Sequence, residues 1–216
     1  MNANSRSVAR RVGYRSGMVA FVSAVGYVVA QGLQVIDVLR PPWDGILIFG
    51  FSVVIATPFM IALVALHCET PHERRLWSLT ALAMSVVYTT YVTLNYAVQL
   101  TVVIPRLTTP LSLQVLDQTP HSLCWTLDGL GYIFLGGATL FAVPVFKGFA
   151  PGAWTRRFFL ANGLVTPIIA VVYFYPRFSM PLLFLGLPWA VTAPGSFLSL
   201  ALMFRRGDTP QARLEQ

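Results

Sequence analysis

Six long apolar stretches, separated by connections that are alternately rich and poor in arginine, constrain this chain more than anything else in it. They run over about Ser16–Ile36, Ile46–His67, Trp77–Ile104, Trp125–Phe146, Phe158–Pro176 and Met180–Phe204. Each has about 19 residues or more, and at about 1.5 Å per residue a helix of that length crosses a hydrocarbon layer of about 30 Å. Inside lipid no water can satisfy a peptide N–H or C=O, so such segments are helical. The expected fold is all-α: a polytopic transmembrane bundle of six spans, with residues 1–216 forming one integral membrane domain.

The basic residues orient the bundle. Arg6, Arg10, Arg11 and Arg15 precede the first span, Arg74 and Arg75 follow the second, Lys147, Arg156 and Arg157 follow the fourth, and Arg205, Arg206 and Arg213 follow the sixth. The other three connections carry only Arg40, Arg106 and Arg177. Positive charge is retained on the cytoplasmic side, so both termini are expected there. Trp43, Trp77, Trp125 and Trp154 fall at or just outside span ends, where an indole places its ring in the apolar layer and its N–H among headgroups. A net charge of +7 would suggest nucleic acid in a soluble protein; here the cations flank spans, and no nucleic-acid partner is expected. The Arg-rich start followed by an apolar run also resembles a signal peptide, but the run continues past the poor cleavage site Val28-Val29-Ala30 to Ile36, so it is read as a span.

This topology separates the two cysteines. Cys68 ends the second span on one side and Cys124 begins the fourth on the other, too far apart for a disulfide within one chain. The cluster His67-Cys68-Glu69-Thr70-Pro71-His72-Glu73 holds residue types that bind zinc, which leaves a membrane-embedded metal-dependent hydrolase as an alternative. Its spacing fits no metal signature, Pro71 breaks the helix that would align it, and His121 lies on the opposite side. No metal, no cofactor and no catalytic residue are assigned, and the chain reads as leaning away from enzymes.

The polar residues within spans are informative because burying them is costly. Asp128, one turn into the fourth span, must face protein or water or bind a proton. Tyr132 shares its helical face and is expected to hydrogen-bond it. The third span carries Tyr88, Tyr91, Asn95 and Gln99 on one stripe, and the first carries Ser23, Tyr27, Gln31 and Gln34 on another. With alternating span directions, Gln31, Gln34, Asn95, Gln99, Asp128 and Tyr132 fall in the outer half of the membrane. Two expectations follow. One is a polar cavity open to the outside, lined by spans one, three and four, that binds or passes a small polar solute. The other is that the stripes join helices in a structural or regulatory subunit, packed against another membrane protein or a second copy. In the longest connection, Leu111–Asp117 is expected to lie as a short amphipathic turn over the outer face.

Gly26-Tyr27 is echoed by Gly131-Tyr132 and Thr57-Pro58 by Thr166-Pro167, nearly in phase, as in a chain built of two inverted three-span halves. Pro181, Gly186, Pro188, Pro194 and Gly195 predict a kinked sixth span.

The segments Asn95-Tyr96-Ala97-Val98-Gln99, Pro120-His121 and Leu127-Asp128-Gly129-Leu130-Gly131-Tyr132, with the ending Phe204-Arg205-Arg206, resemble an uncharacterised group of small bacterial multi-pass membrane proteins. The resemblance covers spans three to six. It implies the bacterial cytoplasmic (inner) membrane, with the lipid bilayer as partner, and no activity.

Overall fold

In the computed structural model, residues 3–106, 116–148 and 152–207 are described, and every regular element among them is helical. Helix α1 spans Ala3–Val35, α2 Trp43–Cys68, α3 Arg75–Val98, α4 Leu123–Ala142 and α5 Ala153–Phe174; the last apolar stretch forms two pieces, α6 (Met180–Phe184) and α7 (Trp189–Arg206). Six stretches are long and apolar enough to cross a membrane. Hydrophobic side chains occupy both the interior and the outer surface: Phe59, Phe197, Leu135 and Leu200 are buried, while Val22, Leu79, Leu94, Leu164 and Val191 are more than half exposed on the outside of the bundle. In water that second set would be an apolar patch far larger than a soluble protein tolerates. Against lipid tails it costs nothing.

The long helices form a closed ring: α1 to α5 each pack on the next in chain order, α5 packs on α7, and α7 returns to α1. Small residues allow close approach, and buried polar pairs join the helices. Asn162 on α5 donates to Thr139 Oγ1 of α4 and accepts from Thr192 Oγ1 of α7, both at 3.2 Å. The arginine-rich segments gather at one end. Arg10 on α1 pairs with Glu69 beyond α2 at 3.3 Å, Arg74 donates to the carbonyl of Val145 at 3.0 Å beyond α4, and the Arg205 guanidinium lies 5.9 Å over the Tyr14 ring. The described starts and ends of the chain therefore share one end of the bundle.

Several helix limits differ from the sequence expectation for local reasons. Helix α1 starts at Ala3 rather than near Ser16, because nothing between them breaks a helix and arginine is a good helix former. Beyond α3 the chain continues through a π turn, Gln99–Val103, and a 3-10 turn that ends at Arg106. Pro144 converts the end of span four to a 3-10 turn over Val143–Phe146. Span six is broken rather than only kinked: residues 185–188, with Gly186 and Pro188, form turns between α6 and α7. Pro58, Pro167 and Pro194 stay inside α2, α5 and α7.

Candidate functional site

Ser122 prepares the site by capping α4, its Oγ accepting from the Trp125 N–H at 3.0 Å. Asp128 follows two turns later and is 4% exposed. Three donors converge on its carboxylate: the Tyr96 hydroxyl of α3 on Oδ1 at 2.5 Å, the Tyr173 hydroxyl of α5 on Oδ2 at 2.6 Å, and Gln118 Nε2 on Oδ2 at 3.1 Å. A carboxylate accepts about four hydrogen bonds, so Oδ1 retains unspent capacity. The ion pairs Arg10–Glu69 and Arg40–Asp37 lie elsewhere.

The neighbours of Asp128 are held in turn. Asn95 Nδ2 donates to Gln118 Oε1 at 3.1 Å, and Gln99 Nε2 donates to the Leu116 carbonyl at 2.6 Å, so an amide of α3 and one of the turn that follows it hold the end of the long connection across the site. The π turn begins at Gln99, and such widened turns recur at functional sites. Trp125 Nε1 donates to the Tyr173 carbonyl at 3.0 Å with the rings 4.5 Å apart, which fixes the last turn of α5. Gly129 lets that turn approach: a Cβ there would stand 2.8 Å from Tyr173 Cβ.

Asp128 opens onto a small cavity walled by Ser52, Ile55, Tyr88, Val92, Tyr96, Tyr132 and Trp189. Its volume is about 10 Å³ for the centre of a water-sized sphere, room for about one water. The buried Trp189 Nε1 has no hydrogen-bond partner among the described residues. The Trp189 ring meets Tyr27 and Tyr132 edge-on at 5.4 and 5.1 Å, and Tyr132 lies 5.5 Å from Tyr173. A buried carboxylate thus faces an aromatic box, an arrangement that attracts a cation to the acid and to the ring faces together.

The structure joins Asp128 and Asn95 through Gln118, places Gln99 on the adjoining Leu116 carbonyl, and brings Tyr88 and Tyr132 into the cavity wall. It corrects the expected Asp128–Tyr132 bond: the Tyr132 hydroxyl meets Tyr27 instead, at 3.2 Å, while Tyr96 and Tyr173 take the carboxylate. Gln31 and Gln34 bond each other at 2.7 Å, and Gln34 donates to Asp44 at 2.9 Å, so they tie α1 to the start of α2 rather than line the Asp128 network. Tyr91 is stacked on Phe134 at 5.8 Å. Of the expected amphipathic turn, residues 111–115 lie outside the described residues; Leu116 is one of the site's contacts.

Tyr96, Tyr173, Gln118 and Trp189 escape the sequence reading. One signal was present for Tyr96. Ser78, Ala81, Ser85, Tyr88, Val92, Asn95 and Gln99 follow a three-four spacing and are all buried, and this seam is rotated from the purely polar stripe toward Tyr96 and away from Tyr91. At the other end, the His67 to Glu73 cluster is dispersed. His67 Nδ1 meets Ser78 Oγ at 2.8 Å, Glu69 pairs with Arg10, and no metal-binding group of three such residues exists among the described residues.

No family model, curated protein or solved structure matches this chain, so its function is argued from the geometry alone.

Proposed function

We propose that this is an integral membrane protein that binds, and by opening passes, a small cationic or protonatable solute at Asp128. The observation that carries this reading is a buried carboxylate held by three neutral donors and facing an aromatic box. An ionised acid inside a bundle is expensive, and intramembrane acids mark ion and substrate paths. A cation in the box would gain the acid's charge and about 0.5–2 kcal/mol from each well-placed ring. The outward-facing polar cavity expected from sequence becomes, in this proposal, an open state of the same site. Entry of anything larger than water needs Gln118 or Trp189 to move, and Trp189 directly follows the break at residues 185–188. Both termini are assigned to the cytoplasm by the arginine bias. The bacterial cytoplasmic membrane is assigned by the sequence resemblance, and neither enzymatic chemistry nor a cofactor is invoked.

A second reading has its own support. The amide nitrogens of Asn95, Gln99, Gln31 and Gln34 all donate to protein partners, as they would in a structural or regulatory subunit whose polar groups only join helices. Purified protein in detergent, titrated with tetramethylammonium and methylammonium, and proteoliposomes assayed for uptake of proton and methylammonium separate the two. The solute reading expects saturable binding or flux that Asp128→Asn abolishes. Wild-type protein without binding or flux, or a variant that differs only in thermal stability, leaves the structural reading.

A further inference from the structure

Independently of Asp128, the arginine-rich end holds a pocket of about 610 Å³ between the first turns of α1 and the last of α7. Arg6, Arg10, Arg11, Arg205 and Arg206 line it, with Ser7, Tyr14, Phe204 and Gly207. Its origin is a close helix crossing. A Cβ on Gly13 would stand 2.6 Å from the Phe204 ring, and one on Gly17 would stand 2.9 Å from Ala201 Cβ. The pair Gly13-x-x-x-Gly17 brings α1 and α7 together, and they diverge below the crossing into a wedge.

Several features suit the wedge to an anionic amphiphile. Arg10 is placed by Glu69, and Arg205 lies over Tyr14. Glu69 holds Arg10, and Arg11, Arg205 and Arg206 add positive charge to a lining that has no acidic residue among the described residues. The terminal carbonyls of α7 bring partial negative charge to one edge, which Arg205 and Arg206 in its last turn offset. Tyr14 and Phe204 give the wedge an aromatic floor, and the exposed Val8 and Val12 on α1 continue toward the lipid-facing surface. Guanidinium groups bind phosphate oxygens through paired N–H donors. An apolar floor at a membrane's edge adds contact for acyl chains, which a free phosphate cannot use.

We propose that this wedge is a binding site for the phosphate headgroup of an anionic phospholipid, seated between α1 and α7 with its chains along α1. Bound there, the lipid bridges the first and last helices where they diverge at the arginine-rich end.

The test uses the purified full chain in neutral detergent, exposed to phosphatidylglycerol, phosphatidylcholine or inorganic phosphate and examined by native mass spectrometry. Phosphatidylglycerol is expected to be retained at least about tenfold better than phosphatidylcholine, with inorganic phosphate failing to compete. Arg11→Gln with Arg206→Gln should lower that preference about tenfold while lowering the unfolding temperature in lipid-free detergent only slightly, by the lost charge at the end of α7. Arg11→Gln alone, at an exposed position, should lower it severalfold, which keeps the test decisive if the double variant folds poorly. Equal retention of the two lipids, an unchanged preference in both variants, or competition by inorganic phosphate would overturn the proposal. So would a chain ended at Gly207 that binds phosphatidylglycerol when the full chain does not, since the chain's own tail would then be the occupant.

Discussion

The hydroxyls of Tyr27 and Tyr132, 105 residues apart in the chain, meet at 3.2 Å in the middle of the helix ring. They are the two tyrosines of the Gly-Tyr echo, on α1 and α4. Helices α1 and α4 run in opposite directions, because the start of α1 and the end of α4 lie at the same, arginine-rich end. Trp189 packs edge-on against both rings, and with Tyr132 it walls the cavity beside Asp128, with Tyr27 behind them.

If the two hydroxyls bond each other, their removal is not additive. Tyr27→Phe and Tyr132→Phe should each cost about 1 kcal/mol of unfolding free energy, while the double variant should cost clearly less than the sum. Denaturation in mixed micelles measures the cycle; strictly additive costs would mean the hydroxyls act separately.

The carboxylate donors should matter more than other tyrosines. Tyr96→Phe and Tyr173→Phe each remove a hydrogen bond to Asp128, at about 1.5–3 kcal/mol for a charged acceptor. Tyr91→Phe leaves the Phe134 stack in place and should change stability by about 0.5 kcal/mol or less. Thermal unfolding of the three variants ranks them, and a Tyr91 cost as large as the others would refute the assigned rotation of α3.

Gln118 ties the end of the long connection to both Asn95 and Asp128. Gln118→Ala should raise amide hydrogen exchange over residues 116–119 while α2 and α7 keep their protection. Unchanged exchange would show that the segment is held by other contacts.

Glycines on the same bundle should differ by their neighbours. A Cβ at Gly129 meets Tyr173, so Gly129→Ala should cost about 1–3 kcal/mol and weaken any cation binding by displacing the Tyr173 hydroxyl. A Cβ at Gly32 meets nothing, so Gly32→Ala should be neutral or stabilising by up to about 1 kcal/mol. Unfolding and tetramethylammonium titration of the two variants check both halves of this contrast.

How far the site could be read from sequence differs between its residues. Asp128, Asn95 and Gln99 stood out because a polar group inside an apolar span must be satisfied; the first two meet through Gln118, and Gln99 holds Leu116 beside them. Tyr132 was placed on the helical face of Asp128 by periodicity, yet its hydroxyl went to Tyr27, since a shared face does not specify what the facing helices present. Gln31 and Gln34 share the expected depth with Asp128 but sit on a helix turned toward Asp44. Tyr173 carried no signal, being one aromatic at the end of an apolar run.

By itself, the sequence determined six apolar helices, their alternating charged connections and the few polar residues whose burial would demand partners. Those features depend on span length and on the cost of charge in lipid, both of which act along the chain. Tertiary structure alone decided which tyrosines reach Asp128, that Gln118 closes over it, and that the arginines of α1 and α7 enclose a wedge. Lipid tails are as apolar as the bundle core, so hydrophobic periodicity does not tell which face of a span turns inward. That rotation comes from side-chain packing, and here glycines and buried hydrogen bonds set it.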